Sequence, residues 1–125
     1  MEFYKCSICG KIVAMVKDGF GDVVCCNEPM EKLVPNTSDG AGEKHVPAAE
    51  VKDGVVSVKV GAVEHPMTKE HHIEWIAVET SSGNQRKVLD SLGKPEAMFA
   101  LLPEEKVQAV YEYCNLHGLW KLDVK

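Results

Sequence analysis

Val107-Gln108-Ala109-Val110-Tyr111-Glu112-Tyr113-Cys114-Asn115-Leu116-His117-Gly118 is the stretch on which the fold class turns. Val107, Val110, Tyr111 and Cys114 fall at helical spacing, whereas Val107, Ala109, Tyr111 and Tyr113 alternate as a strand would. Periodicity alone leaves both readings open. The end of the stretch says more: Cys114 and His117 have two residues between them, a ligand spacing with one sulfur and one nitrogen donor.

Upstream of it, the chain reads as strands. Val56, Val58 and Val60 alternate with Ser57 and Lys59 after the turn Lys52-Asp53-Gly54. Ile73 to Glu79 is an extended run rich in β-formers, ending at Ser81-Ser82-Gly83-Asn84, and Met98 to Leu102 is another, stopped by Pro103. Residues 35–42 are rich in turn formers and lack periodicity, so the linker is placed at residues 37–42. It divides a first unit, 1–36, from a second, 43–125. The first unit shows only short strands around Phe3-Tyr4-Lys5, Ile12 to Val16 and Val23-Val24, with few core side chains, so its stability has to come mainly from metal ligation.

The chain of 125 residues is 45% hydrophobic and 26% charged, which excludes disorder, collagen and coiled coil. No apolar stretch is long enough to span a membrane. Met1-Glu2-Phe3-Tyr4-Lys5 has neither the basic start nor the apolar run of a signal peptide, so the expected location is cytoplasmic. A net charge of −5 without a basic block argues against nucleic acid as a partner.

Cys6, Cys9, Cys25 and Cys26 cluster in the first unit. Four thiolates enclose a tetrahedral ion, and in a reducing compartment such a cluster reads as a metal site before a disulfide framework. Cys6-Ser7-Ile8-Cys9-Gly10 has the knuckle spacing. Cys25 and Cys26 are adjacent, and neighbours on a regular strand point to opposite faces, so both reach one ion only if the backbone bends there. Zinc or iron is not decided by spacing.

The histidines all lie elsewhere: His45, His65, His71, His72 and His117. Four of them with Cys114 make a second candidate site. His71 follows His65 by six residues, which suits a loop, and His65 precedes Pro66, which favours an extended backbone. Four neutral imidazoles and one thiolate leave a divalent ion near +1, attractive to a small anion. Five protein donors leave a sixth position open, and a set of four nitrogens with one sulfur points to a redox metal such as iron rather than structural zinc.

Cys6-x2-Cys9 with Cys25-Cys26, Glu43-Lys44-His45-Val46-Pro47, His65-Pro66-Met67 with His71, and Cys114-Asn115-Leu116-His117-Gly118 together resemble desulfoferrodoxin, the two-iron superoxide reductase family. The resemblance spans essentially the whole chain. It implies an all-β protein: a small desulforedoxin-like domain with rubredoxin-type iron on Cys6, Cys9, Cys25 and Cys26, then an immunoglobulin-like β-sandwich. The sandwich would carry ferrous iron on His45, His65, His71, Cys114 and His117, and residues 104–115 would be strand. Further implications are reduction of superoxide to hydrogen peroxide, a catalytic role for Lys44 in attracting the anion and organising protons, and Glu43 as sixth ligand of the resting ferric ion. A rubredoxin-like electron donor and a homodimer complete the expectation. The alternative is a non-catalytic iron electron-transfer protein. His72 is a rim or packing residue on this reading, Met67 packs, and Trp75 and Trp120 are core or site-wall residues.

Overall fold

The computed structural model describes residues 1–37 and 42–124. The chain forms two compact units, Met1–Val34 and Pro35–Lys125.

In the first unit, β1 (Phe3–Lys5) lies between β2 (Ile12–Ala14) and β5 (Glu31–Lys32), both antiparallel to it. A separate hairpin pairs β3 (Val24–Cys25) with β4 (Glu28–Pro29). Its two-residue turn, Cys26-Asn27, has φ of 53° and 62°. Two consecutive left-handed residues are the signature of a type I′ turn, whose twist matches the flanking strands. The bend that adjacent cysteines require is thus a tight hairpin. Phe3, Cys6 and Met30 are the buried hydrophobics of this unit, while Ile8, Val16, Phe20 and Val24 are exposed. So small a core cannot fold a chain of this length without other support.

The second unit opens with a one-turn helix, α1 (Gly42–His45), followed by β6 (Pro47–Lys52), β7 (Val55–Val60), β8 (Ile73–Thr80), β9 (Asn84–Val88), β10 (Glu96–Ala100), β11 (Val107–Cys114) and β12 (Gly118–Asp123). Strands β10-β7-β6 form one antiparallel sheet and β12-β11-β8-β9 another. Val56, Val58, Val60 and Phe99 from the first sheet pack with Ile76, Val78 and Val110 from the second, all with essentially no exposure. This is a β-sandwich, with the sheet sizes of a constant-type immunoglobulin domain. The all-β expectation holds.

Residues 107–114 are strand. β11 is central in its sheet, hydrogen-bonded to both β8 and β12, and all of its residues except Gln108 are buried. Burial on both faces erases the alternation that a strand is recognised by. The run expected at Met98 to Leu102 is strand from Glu96 to Ala100 instead: Ala100 pairs with Val55, the first residue of β7, and the Leu101 amide donates at 2.8 Å to the carbonyl of Gly54, in the turn before that strand. Strands β6, β9 and β12 and the helix α1 carry no clear pattern in the sequence. Within the linker expected at 37–42, residues 38–41 lie outside the described residues, and Gly42 already belongs to α1.

Candidate metal centres

The knuckle at Cys6 is shaped by its own backbone. The Cys6 amide donates to the Lys11 carbonyl at 2.9 Å, the Gly10 amide returns to the Cys6 carbonyl at 3.0 Å, and Gly10 adopts φ +80° to allow it. The turn aims the Cys9 amide at Cys6 Sγ, 3.5 Å away. Together with the Ile8 amide, it draws the Cys6 thiol down to about 6. Cys9 Sγ lies 3.6 Å from Cys25 Sγ, and Cys25 Sγ 3.9 Å from Cys26 Sγ. All four sulfurs fall within 4.8 Å of one another. Hydrogen bonding of the Cys25 thiol to the Cys9 and Cys6 side chains pushes it up to about 12, so the cluster gives up its last protons only to a cation that replaces them. The donor set fits a closed tetrathiolate centre.

The second cluster gathers at one end of the sandwich, with donors from both sheets. His45 ends α1, directly before β6. His65 follows β7, its amide reaching back to the Val60 carbonyl at 3.4 Å. Gly61 makes that turn possible. Its φ is +86°, and a Cβ on it would stand 2.3 Å from the Val63 carbonyl oxygen and 2.6 Å from that of Lys44. His71 sits in the loop before β8. Cys114 ends β11, where a register irregularity between Tyr113 and Cys114 re-aims the chain against β8. The three-residue hairpin loop to Gly118, which has φ +80°, carries His117.

Among the donors, His45 Nε2 lies 3.1 Å from His65 Nε2 and 3.0 Å from His117 Nδ1. Cys114 Sγ is 3.8 Å from His117 Nδ1, and the ligating atoms of His45, His65, His71 and Cys114 fall within 4.8 Å of one another. His65 Nδ1 donates to the Pro66 carbonyl at 2.7 Å, which leaves Nε2 as the lone pair facing the cluster. Burial lowers His65 to about 4, and lowers His71 as well, so both imidazoles are neutral donors at neutral pH. Burial raises the Cys114 thiol, opposed by the hairpin amides of Leu116 and His117. His71 Nε2 is buried without a hydrogen-bond partner. A nitrogen lone pair desolvated in this way is costly unless a cation meets it. The residues fit a metal ion.

The structure brings together the five donors read from the sequence. His72 stays outside: its Nδ1 donates to the Thr68 carbonyl at 2.9 Å. Met67 packs against the core and accepts the Ile73 amide on its sulfur at 3.3 Å. Lys44 is exposed beside His45, and the side chain of Glu43 lies outside the described residues. Trp120 is a site wall, stacked on the His45 ring at 4.9 Å and donating from Nε1 to the His117 carbonyl at 3.1 Å. Gly61 and Glu112 escaped the sequence reading. Gly61 stands in a turn with no flanking motif, and Glu112 resembles any polar residue of an alternating strand.

The family patterns for Desulfoferrodoxin and for the Desulfoferrodoxin N-terminal domain match residues 37–123 and 1–33. The chain is 47% identical over 120 residues to the desulfoferrodoxin of Syntrophotalea carbinolica, covering 96% of this chain and 94% of that one. It is 36% identical over 113 residues to a superoxide reductase of Pyrococcus horikoshii, covering 77% of this chain and 98% of that one. The crystal structure of the superoxide reductase from Treponema pallidum superposes with a TM-score of 0.83 at 39% identity, over 98% of both chains. The two clusters correspond to the two iron centres that the resemblance implies. With both halves matched and both donor sets assembled, the chain belongs to the desulfoferrodoxin family.

Proposed function

We propose that this protein is a superoxide reductase, converting superoxide, one electron and two protons to hydrogen peroxide. The observation that carries the reading is the convergence of four imidazoles and one thiol, with His71 Nε2 buried and unpartnered among them. A ferrous ion held by His45, His65, His71, His117 and Cys114 supplies the electron when bound. The chain's own residues do the rest. The Leu116 and His117 amides favour the thiolate form of Cys114. Lys44 offers a local positive charge in a protein of net charge −5, drawing in an anion that the whole chain repels. Its ammonium group would also order water for the two protons, and Glu43 would be the sixth ligand of the resting ferric ion, as the resemblance implies.

Iron on Cys6, Cys9, Cys25 and Cys26 has no donor position left for substrate, so that centre stabilises its domain or relays electrons. The domain assignment that goes with this reading is 1–36 and 43–125, joined by 37–42. A rubredoxin-like protein is the proposed electron donor, the homodimer the proposed assembly and the cytoplasm the proposed location. Among the described residues no helix is long and apolar enough to cross a membrane.

Pulsed superoxide tests the reading. The reduced protein yields peroxide rapidly, and Cys114→Ser loses both this reaction and the thiolate-to-iron absorption of the second centre. A wild-type protein that only relays electrons, without rapid peroxide, would overturn it.

A further inference from the structure

We propose that Asn115 is the positioning residue that locks the His71 ligand against Cys114. This rests on the reading of the second cluster as an iron centre.

His71 belongs to a loop, not to a strand, so nothing in the sheet ladder holds it in place. Two sets of bonds do so instead. Within the loop, the Thr68 hydroxyl accepts the His71 amide at 3.0 Å and also approaches the His71 carbonyl at 3.2 Å, while the Thr68 amide donates to that carbonyl at 2.9 Å. These bonds shape the loop but tie it to nothing else. The tie to the rest of the site is Asn115. Its Oδ1 accepts the His72 amide at 3.0 Å, its Nδ2 donates to the Glu70 carbonyl at 2.9 Å, and its own amide donates to the His72 carbonyl at 3.2 Å.

One residue therefore grips the chain on both sides of His71, and it is the residue that follows Cys114. Both amide functions of the side chain are used, with one donor and one acceptor in fixed places, which aspartate, serine or alanine cannot reproduce. His71 Nε2 stays buried without a protein partner because the grip stops the loop from turning the ring outward. Metal-site residues of this kind act by orienting a ligand, and losing one lowers metal affinity about 10- to 100-fold.

The experiment uses the full-length, iron-loaded protein, reduced without oxygen and challenged with graded EDTA. Mössbauer spectra separate the iron left at the second centre from the tetrathiolate iron. Asn115→Ala should release the second iron at about 10- to 100-fold lower EDTA than wild type. Because Asn115 acts through His71, the same change made in a His71→Ala background should move the release point by less than about threefold. Asn115→Asp keeps the acceptor for His72 but not the donor for Glu70; it should fall between wild type and Asn115→Ala, and it replaces the latter in the cycle if that variant does not fold. Losses that simply multiply in the double variant, or an Asn115→Ala release point within about twofold of wild type, would overturn the inference while leaving the iron centre intact. A wild-type protein with no iron at the second centre would overturn the reading of the site, and this inference with it.

Discussion

Glu112→Gln should stabilise the sandwich by an amount that grows with pH. Glu112 lies on β11 on the same face as Val110 and Cys114, opposite Ile76 of β8 and Trp120 of β12. It is fully buried, and both carboxyl oxygens lack a hydrogen-bond partner. Desolvation pushes its pKa from 4.5 up to about 9. The folded state therefore keeps the proton through the range in which the unfolded chain releases it. Stability linked to this group is fully present below the unfolded value and falls as pH rises towards about 9. The 2.5 pH units between 4.5 and neutrality, at about 1.4 kcal/mol each, make roughly 3.5 kcal/mol lost at pH 7. Glutamine has nothing to titrate and a similar buried polar head, so it removes this loss and little else. The assay is urea unfolding of the sandwich, in wild-type and variant chains stripped of metal, at pH values from 4 to 8. The variant's advantage should be negligible at pH 4 and approach about 3.5 kcal/mol at pH 7. An advantage that does not change with pH would show that the carboxyl titrates normally, and would refute the argument.

Lys44→Ala should slow the bimolecular reaction with superoxide about fivefold at low salt, the factor that about 1 kcal/mol of screened attraction gives, and should flatten its salt dependence; an unchanged rate would return Lys44 to an ordinary surface residue. Gly61→Ala should destabilise the sandwich by about 1–3 kcal/mol and slow the same reaction, because a Cβ there collides with the backbone oxygens of Val63 and Lys44 at a left-handed φ; wild-type melting and rate would show that the turn yields freely. Acid should strip the second centre late. His65 and His71 resist protonation through burial, so iron accessible to a chelator should appear only as pH falls from 6.5 towards about 4, and release beginning above pH 7 would contradict the burial of these rings.

The site was more legible than the fold around it, because ligand chemistry leaves its mark in residue type and spacing. Cys6-x2-Cys9 and Cys114-x2-His117 can be read directly, and the assembled donors agree with them. The adjacent pair Cys25-Cys26 posed a geometric problem that the sequence could state but not solve. Its solution, left-handed φ at Cys26 and Asn27, is a backbone choice that no side-chain pattern announces. β11 was ambiguous because partners on both sides bury nearly every residue, including Glu112. β9 is the opposite case. It is an edge strand, Asn84-Gln85-Arg86-Lys87-Val88, with almost every side chain exposed, and pairing with β8 alone makes it a strand. The residues that support the ligands, Asn115, Thr68 and Gly61, work through backbone contacts, which only the folded chain reveals.

His45 and His117 meet across 72 positions of sequence. A shared ion there closes a long loop, as a disulfide would, and restricts the unfolded chain by a comparable route. Unlike a disulfide, this fastening survives reducing conditions and yields to acid or to a competing chelator. With the ion bound, the fold would have a cross-link that does not depend on an oxidising surrounding.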